Sequence, residues 1–494
     1  MAFDGHGLFF DFGTNYKKLG KYYQDFLQPR SNRGLHDYLE MGLIPRIKCY
    51  REDIRPADVD LSAALDLKVD ALFISHAHLD HIGHAGFLEL SIPFVTTPMT
   101  AAIMKAMKDC GQRGAESECV YAQLKARQDT EGRVIQTPRM KKGQRYATRD
   151  FILTEAPTAE LEDFWNDSVT SYDIESREFL DNDFLDFECR AYAVDHSMYG
   201  ACAHAVETPV GWVVYTGDLR RHGKGRESTD RFVKKARALN PAVLIIEGTT
   251  TSREESKVNL SEATVKETCA AAVEAEDDLI IADFSPRNFE RLDTFLEIAK
   301  ESGRSLVITK KDAYYLRSIR CVDGIDRMKE LSVYGQLKTR ETGMEEAACD
   351  CENLRVLDPR EIAAAPASYI LCFSLGDLSN LLDIKHKGGT YIYSSSEAYS
   401  EEQVIDFQRL YNWLRLFRLE VKGFSMAEVE GKWLPQFDHN YHASGHASKE
   451  DLRAIIDGIS PEKVLPVHTE DKDFFKSVWG NRVIDAKDGV QIDL

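Results

Sequence analysis

An α/β fold is the expectation for this chain, and three observations lead to it. Strand-length apolar runs alternate with segments of helical periodicity along most of the sequence. The balance of 43% hydrophobic and 29% charged residues is that of a folded globular protein and excludes disorder as the default. The longest apolar runs, such as Ala242 to Ile246, are far short of the roughly 20 residues that a membrane span requires. At 494 residues the chain has length for two or three units of roughly 150 residues each, with no repeat or low-complexity tract between them.

In chain order, Leu8 to Phe12 and Ala71 to Ile74 read as strands, followed by Val213 to Thr216. Arg231 to Leu239 places Phe232, Val233, Ala236 and Leu239 on one helical face and stops before Pro241. Val243 to Ile246 and Tyr391 to Tyr393 are further strands. Ser400 with Gln403 forms a capping box ahead of a helix carrying Val404, Phe407, Leu410, Tyr411 and Leu414. Ser448 with Asp451 opens another, carrying Leu452, Ile455 and Ile456.

Charge constrains the partners. Lys and Arg total 62 against 81 Asp and Glu, a net charge of -19 that repels a polyanion at long range, so any nucleic-acid contact must be local. Arg133 to Arg149 is basic with no acid, whereas 155–188 holds twelve carboxylates against Arg177 alone, interleaved with Phe164, Trp165, Tyr172, Phe179, Phe184 and Phe187. The acidic stretch reads either as a solvated face with core aromatics or as an insertion that caps the molecule or binds a protein partner. Ten scattered cysteines without a C-x-x-C pair suggest neither a disulfide framework nor a cysteine zinc site. The N-terminus has no basic stretch leading an apolar core, so a cytoplasmic, membrane-free address is expected.

The chemistry concentrates in Leu72 to His81, a strand running straight into His76, His78, Asp80 and His81. His76 and His78 project to one side of an extended turn, while Asp80 and His81 can face a second centre, so one loop can feed two metals. Imidazole and carboxylate donors suit zinc, and manganese as well. Further donors stand at strand ends: Asp11, His196, Asp218 after Gly217, and His468. Isolated histidines such as His6, His36, His204, His222, His386 and His439 are read as ordinary core or surface residues.

This ordered set resembles the sequential motifs of the metallo-β-lactamase superfamily: Asp11, then His76-x-His78-x-Asp80-His81, then His196, then Asp218. Glu247, His446 and His468 are similar to motifs A, B and C of its β-CASP nucleic-acid-processing group, and Val194-Asp-His-Ser and Ser444-Gly-His-Ala-Ser look closest to ribonuclease J. The resemblance implies an αββα sandwich formed by 1–251 and completed by 440–494, with 252–439 inserted as a β-CASP α/β domain. It implies two Zn2+ ions, or Mn2+: one held by His76, His78 and His196, the other by Asp80, His81 and His468, with Asp218 bridging and Asp11 behind the ligands. Asp80, Glu247 and His446 would be catalytic, Glu247 orienting His446 as the acid that serves the leaving oxygen.

The implied activity is hydrolysis of single-stranded RNA, by internal cuts, 5'-to-3' trimming or both. Ser394, Ser395 and Ser396 before a helix N-terminus suit a phosphate. Arg287 and Arg291 beside Phe284 and Phe289 could track a backbone and stack bases. Where ribonuclease J carries a Pro-Ile-Pro-Gly type of segment after the serines, this chain has Glu397-Ala-Tyr-Ser. Two rival readings stand beside this one: a hydrolase of the same fold acting on DNA or a small phosphoester, and a low-turnover nucleic-acid-binding or assembly subunit. A homo-oligomer fits each of them.

Overall fold

The computed structural model describes residues 1–24, 26–111, 114–252, 260–350, 354–395 and 401–493. Two five-stranded sheets lie face to face. The first runs Ala2–Phe3, His6–Phe10, Ala71–Phe73, Phe94–Thr96, Phe151–Leu153; the second runs Cys189–Ala193, Cys202–Thr208, Gly211–Tyr215, Val243–Glu247, Lys463–Val467. Strand alternation builds the layers. Ala71 and Phe73 point inward with Leu8, Val95, Ile152 and Val206, while Leu72 and Ile74 point outward beneath the helix Pro98–Asp109. On the second sheet Val214, Leu244, Ile246 and Val464 point outward beneath Arg226–Ala238, Lys449–Ile459 and Lys472–Trp479. The αββα sandwich implied by the resemblance is thus present.

Between Glu247 and Lys449 the chain builds a second α/β body. Seven strands pair in parallel in the order Arg355–Leu357, Leu331–Tyr334, Ser305–Ile308, Tyr369–Cys372, Ile280–Asp283, Thr390–Tyr393, Glu420–Lys422. A parallel sheet is covered on both faces, which is why its inner strands are mostly apolar and buried, while the edge strands Arg355–Leu357 and Glu420–Lys422 carry charged residues. Ile280, Ala282, Leu306 and Ile308 face Glu262–Glu274, Phe289–Glu301 and Lys310–Asp323; Ile281 and Val307 face Pro359–Ala364 and Glu401–Leu416. The chain then returns, and Lys463–Val467 pairs in parallel with Val243–Glu247.

The two bodies share one core. A continuous apolar cluster runs from Leu72 and Met107 through Leu161 and Phe164 to Tyr314 and Ile319. Asp109 accepts the hydroxyls of Tyr121 at 2.8 Å and Tyr314 at 2.7 Å and pairs with buried Lys105 at 2.7 Å, which joins the sandwich helix to the inserted body. The acidic stretch 155–188 takes part: Ala159–Asn166 buries Leu161, Phe164 and Trp165 against the chain's own core, while Phe184 remains exposed. In the basic stretch Arg149 is buried and donates to the carbonyls of Leu88 at 2.7 Å and Ile92 at 2.9 Å, whereas Arg139, Lys141, Lys142 and Arg145 are exposed.

Element ends differ from expectation by up to five residues. The strand read as Leu8 to Phe12 is His6–Phe10, because Asp11 turns into the left-handed region at φ 56°. The helix read from Arg231 begins earlier, at Arg226. Ser448 caps its helix by accepting from the Asp451 amide at 3.0 Å. Ser400 lies outside the described residues. Among the described residues no helix is long and apolar enough to cross a membrane.

Candidate metal centre

The centre sits at the strand ends where the two sheets meet. After Phe73 the chain leaves the sheet through Ser75 and reverses over the short helix Leu79–Ile82, so that His76, His78, Asp80 and His81 surround one point. Two glycines allow this packing. At Gly13 a Cβ would lie 1.7 Å from the Asp80 carbonyl oxygen, and at Gly217, φ 57°, a Cβ would lie 2.4 Å from the Ser75 Cβ. The second turn aims Asp218 at the histidines.

Among the described residues donors gather in three groups, the last two sharing Asp218: His76, His78 and His196; Asp80, His81, Asp218 and His468; and Asp218, Glu247 and His446, in each of which the donor atoms lie within 4.8 Å of one another. In the first, His78 Nδ1 is 2.9 Å from His76 Nε2 and 3.1 Å from His196 Nε2. Burial pushes His76 and His78 well below the usual histidine range, and their histidine neighbours add to it. Burial likewise holds His196 down, at about 3. Three neutral imidazoles with converging nitrogens are the donor set of a divalent transition metal, which binds the unprotonated ring. His196 directs its other nitrogen, Nδ1, to the Gly445 carbonyl at 2.6 Å, which fixes the ring orientation.

In the second group Asp218 Oδ2 is 3.0 Å from His81 Nε2 and Oδ1 is 3.1 Å from His468 Nδ1, while Asp80 Oδ2 is 3.6 Å from His468 Nε2. Asp218 Oδ2 also lies 3.9 Å from His76 Nε2, so one carboxylate reaches both groups. Burial opposes its charge, yet the surrounding histidines, His81 foremost, hold it well below the usual carboxylate range. Asp11 stands behind His81: its Oδ2 is 2.6 Å from His81 Nδ1 and accepts the hydroxyls of Ser75 and Tyr215 at 2.6 Å each. Asp80 and His468 are about a third exposed and mark the open side of the centre. The donor set fits two divalent cations.

The third group places His446 Nδ1 3.1 Å from Glu247 Oε2 and 3.6 Å from Asp218 Oδ2. Burial lowers the affinity of His446 for its proton, but Glu247 and then Asp218 outweigh it and raise the ring to about 9. Glu247 accepts the amide of Leu219 at 3.1 Å, so the strand end beside Asp218 holds it in place.

The serine and arginine expectations fare differently. Arg291 is fully buried and donates to Glu262 at 2.8 Å and to the Ser394 carbonyl at 2.8 Å, so it holds the chain together and meets no solvent-borne phosphate. Ser394 is buried beneath it, giving its hydroxyl to the Tyr441 carbonyl at 2.6 Å. Phe284 and Phe289 are core side chains, Phe284 stacked on Phe295 at 5.3 Å, which removes them as base platforms. Arg287 is half-buried, its Nη1 lies 3.5 Å from Met107 Sδ, and its charge helps to keep the His78 ring unprotonated. Ser395 is half-buried, and Ser396 lies outside the described residues. Sequence reasoning missed Ser75 and Tyr215, which support Asp11; the only local signal was a hydroxyl at each strand end.

The family model described as "Zn-dependent metallo-hydrolase RNA specificity domain" matches residues 436–476, the stretch that carries His446 and His468. A ribonuclease J from Pyrococcus abyssi is 25% identical over 412 residues, 82% of this chain and 75% of its own length. The ribonuclease J of Mycolicibacterium smegmatis is 22% identical over 81% of this chain and 58% of its own, and that of Mycoplasma pneumoniae 24% over 82% and 58%. The chain therefore spans little more than half the length of those two relatives. A crystal structure of a protein of unknown function from Enterococcus faecalis V583 shares the fold, with a TM-score of 0.69 and 22% identity over 100% of this chain and 95% of that one.

Proposed function

From the premise that the chain belongs to the ribonuclease J-like, β-CASP group of the metallo-β-lactamase superfamily, we propose that it is a two-metal phosphodiester hydrolase acting on single-stranded RNA, by internal cuts, 5'-to-3' trimming or both. The observation that carries this reading is Asp218, a single buried carboxylate within reach of His76, His81, His468 and His446. His76, His78 and His196 would hold one cation, Asp80, His81 and His468 the other, with Asp218 between them. Zinc suits the histidine-rich donors, and manganese is compatible. Two such cations activate water and neutralise charge on the phosphoryl oxygens.

The chain's own residues supply the rest. His446, carrying a proton at neutral pH, faces the centre and can donate it to the departing oxygen, and Glu247 fixes the ring through Nδ1. Asp11 orients His81 and keeps its Nε2 toward Asp218. Arg287, whose charge is felt at His78, is the candidate contact for the phosphate backbone. In this reading 252–439 forms the second wall of a cleft over the metals, and 1–251 with 440–494 forms the first.

Hydrolysis of 5'-labelled single-stranded RNA and the matching DNA by metal-loaded protein tests this, with Asp80→Asn as control. Mononucleotide release from RNA alone is expected of a 5' exoribonuclease and internal fragments of an endonuclease, both lost in the variant. Cleavage of a generic phosphodiester with intact RNA would remove the RNA assignment. Two bound metals with no cleavage would make the chain a binding or assembly subunit.

A further inference from the structure

Two residues beyond Asp218, Arg220 is fully buried and spreads its guanidinium in three directions. Nε donates to Asp195 Oδ1 at 3.2 Å, Nη1 to Glu262 Oε1 and the Ser444 carbonyl at 3.1 Å each, and Nη2 to Glu290 Oε2. Asp195 immediately precedes His196, and Ser444 stands two residues before His446. Glu262 and Glu290 belong to the first turns of Glu262–Glu274 and Phe289–Glu301, two helices of the inserted body. The network continues through Glu262 Oε2 to Arg291 at 2.8 Å and from there to Ser394 and the Tyr441 carbonyl. Every oxygen of Asp195 and Glu290 has a donor: Gly223 N gives to Asp195 Oδ2 at 2.8 Å and Lys224 N to Glu290 Oε1 at 2.5 Å.

A buried cluster of this kind is a poor source of net stability, since apolar packing of the same volume does as well or better. What it provides is geometry. The planar fork of arginine fixes the direction of each partner, which a lysine cannot reproduce. The packing leaves no slack: a Cβ on Gly223 would lie 2.4 Å from Arg220 Nη2 and 2.5 Å from Asp195 Oδ1.

We propose that Arg220 is a positioning residue that couples the placement of the inserted body to the loops carrying His196, Asp218 and His446, and so sets the geometry in which an extended substrate meets the metals. The substrate side of this inference rests on the reading of a nucleic-acid strand lying between the two bodies. A substrate too small to touch the inserted body needs only the metals; a strand held by both walls needs their registry.

The test uses the full metal-loaded chain with Arg220→Lys and, as a second probe that leaves the charges unchanged, Gly223→Ala. Both are expected to retain bound metal and to lose less on bis(p-nitrophenyl) phosphate, which is too small to touch the inserted body, than on RNA. On RNA they should lose kcat/KM on the order of 10²-fold, the scale of a misplacement of about 1 Å. Amide hydrogen exchange should quicken in 262–274 and 289–301. Equal losses on both substrates together with lost metal would overturn the coupling, as would unchanged exchange in those helices. If the wild-type chain spares RNA altogether, the functional reading falls, and the exchange measurement alone still decides whether Arg220 links the bodies.

Discussion

At Asp218, burial and charge work against each other, and the histidines decide the outcome. His446 touches this carboxylate but stands outside both histidine groups that would hold the cations. His446→Ala is therefore expected to lower turnover by about 10²- to 10⁴-fold, the range of general acid catalysis, with metal content retained. Metal analysis beside the rate measurement checks this, and lost metal would make His446 a ligand. Gly217→Ala should be worse for the fold than for the chemistry. A left-handed φ and a Cβ 2.4 Å from Ser75 combine to cost about 1–3 kcal/mol, read as a lower denaturation midpoint, with metal affinity falling too. The histidine groups were legible in the sequence because four donors fall within six residues and the others stand at strand ends. Arg291 was not legible: a charged side chain beside phenylalanines reads as surface, and only the inserted body's Glu262 and Ser394 make it a buried link.

At the scale of elements, strands were found where apolar runs are shortest and densest, and their ends were not. Asp11 leaves the sheet early because its carboxylate must reach Ser75, Tyr215 and His81 together, a requirement no local pattern encodes. The short strand pieces between Tyr121 and Thr148 went unread, since two-residue elements carry no periodicity. Asp283, the last residue of the interior strand Ile280–Asp283, gives a prediction of its own. Burial pushes its carboxyl up to about 7, although the Tyr391 hydroxyl pulls the other way. The unfolded chain, near the ordinary value of 3.8, releases this proton first. The contribution to stability is thus complete below about pH 4 and lost as pH rises through about 7. Asp283→Asn should flatten part of that fall in thermal midpoint, measured with metal chelated. Asp312, also pushed to about 7 by burial, keeps its own share of the slope.

For the whole molecule, the inserted body is not a loosely tethered lid. Phe164 packs 5.9 Å from Tyr314 across the junction, and buried Lys105 lies 5.0 Å from its ring. Phe164→Ala should cost about 3–5 kcal/mol, the range for removing a buried aromatic, measured by denaturant unfolding. A cost under 1 kcal/mol would mean that the two bodies hold together without this helix. The sequence marked 155–188 as unusual by its charge but could not say that its aromatics face inward, because the surface they cover belongs to helices far away in the chain.

His468 and Asp218 meet at 3.1 Å although 250 residues separate them, and the strand that delivers His468 pairs with Val243–Glu247 only after the whole inserted body has been made. Until Lys463–Val467 has been made the sheet ends at an open edge, and the second group of donors lacks one member. The centre is in this way completed only after the inserted body, by topology alone.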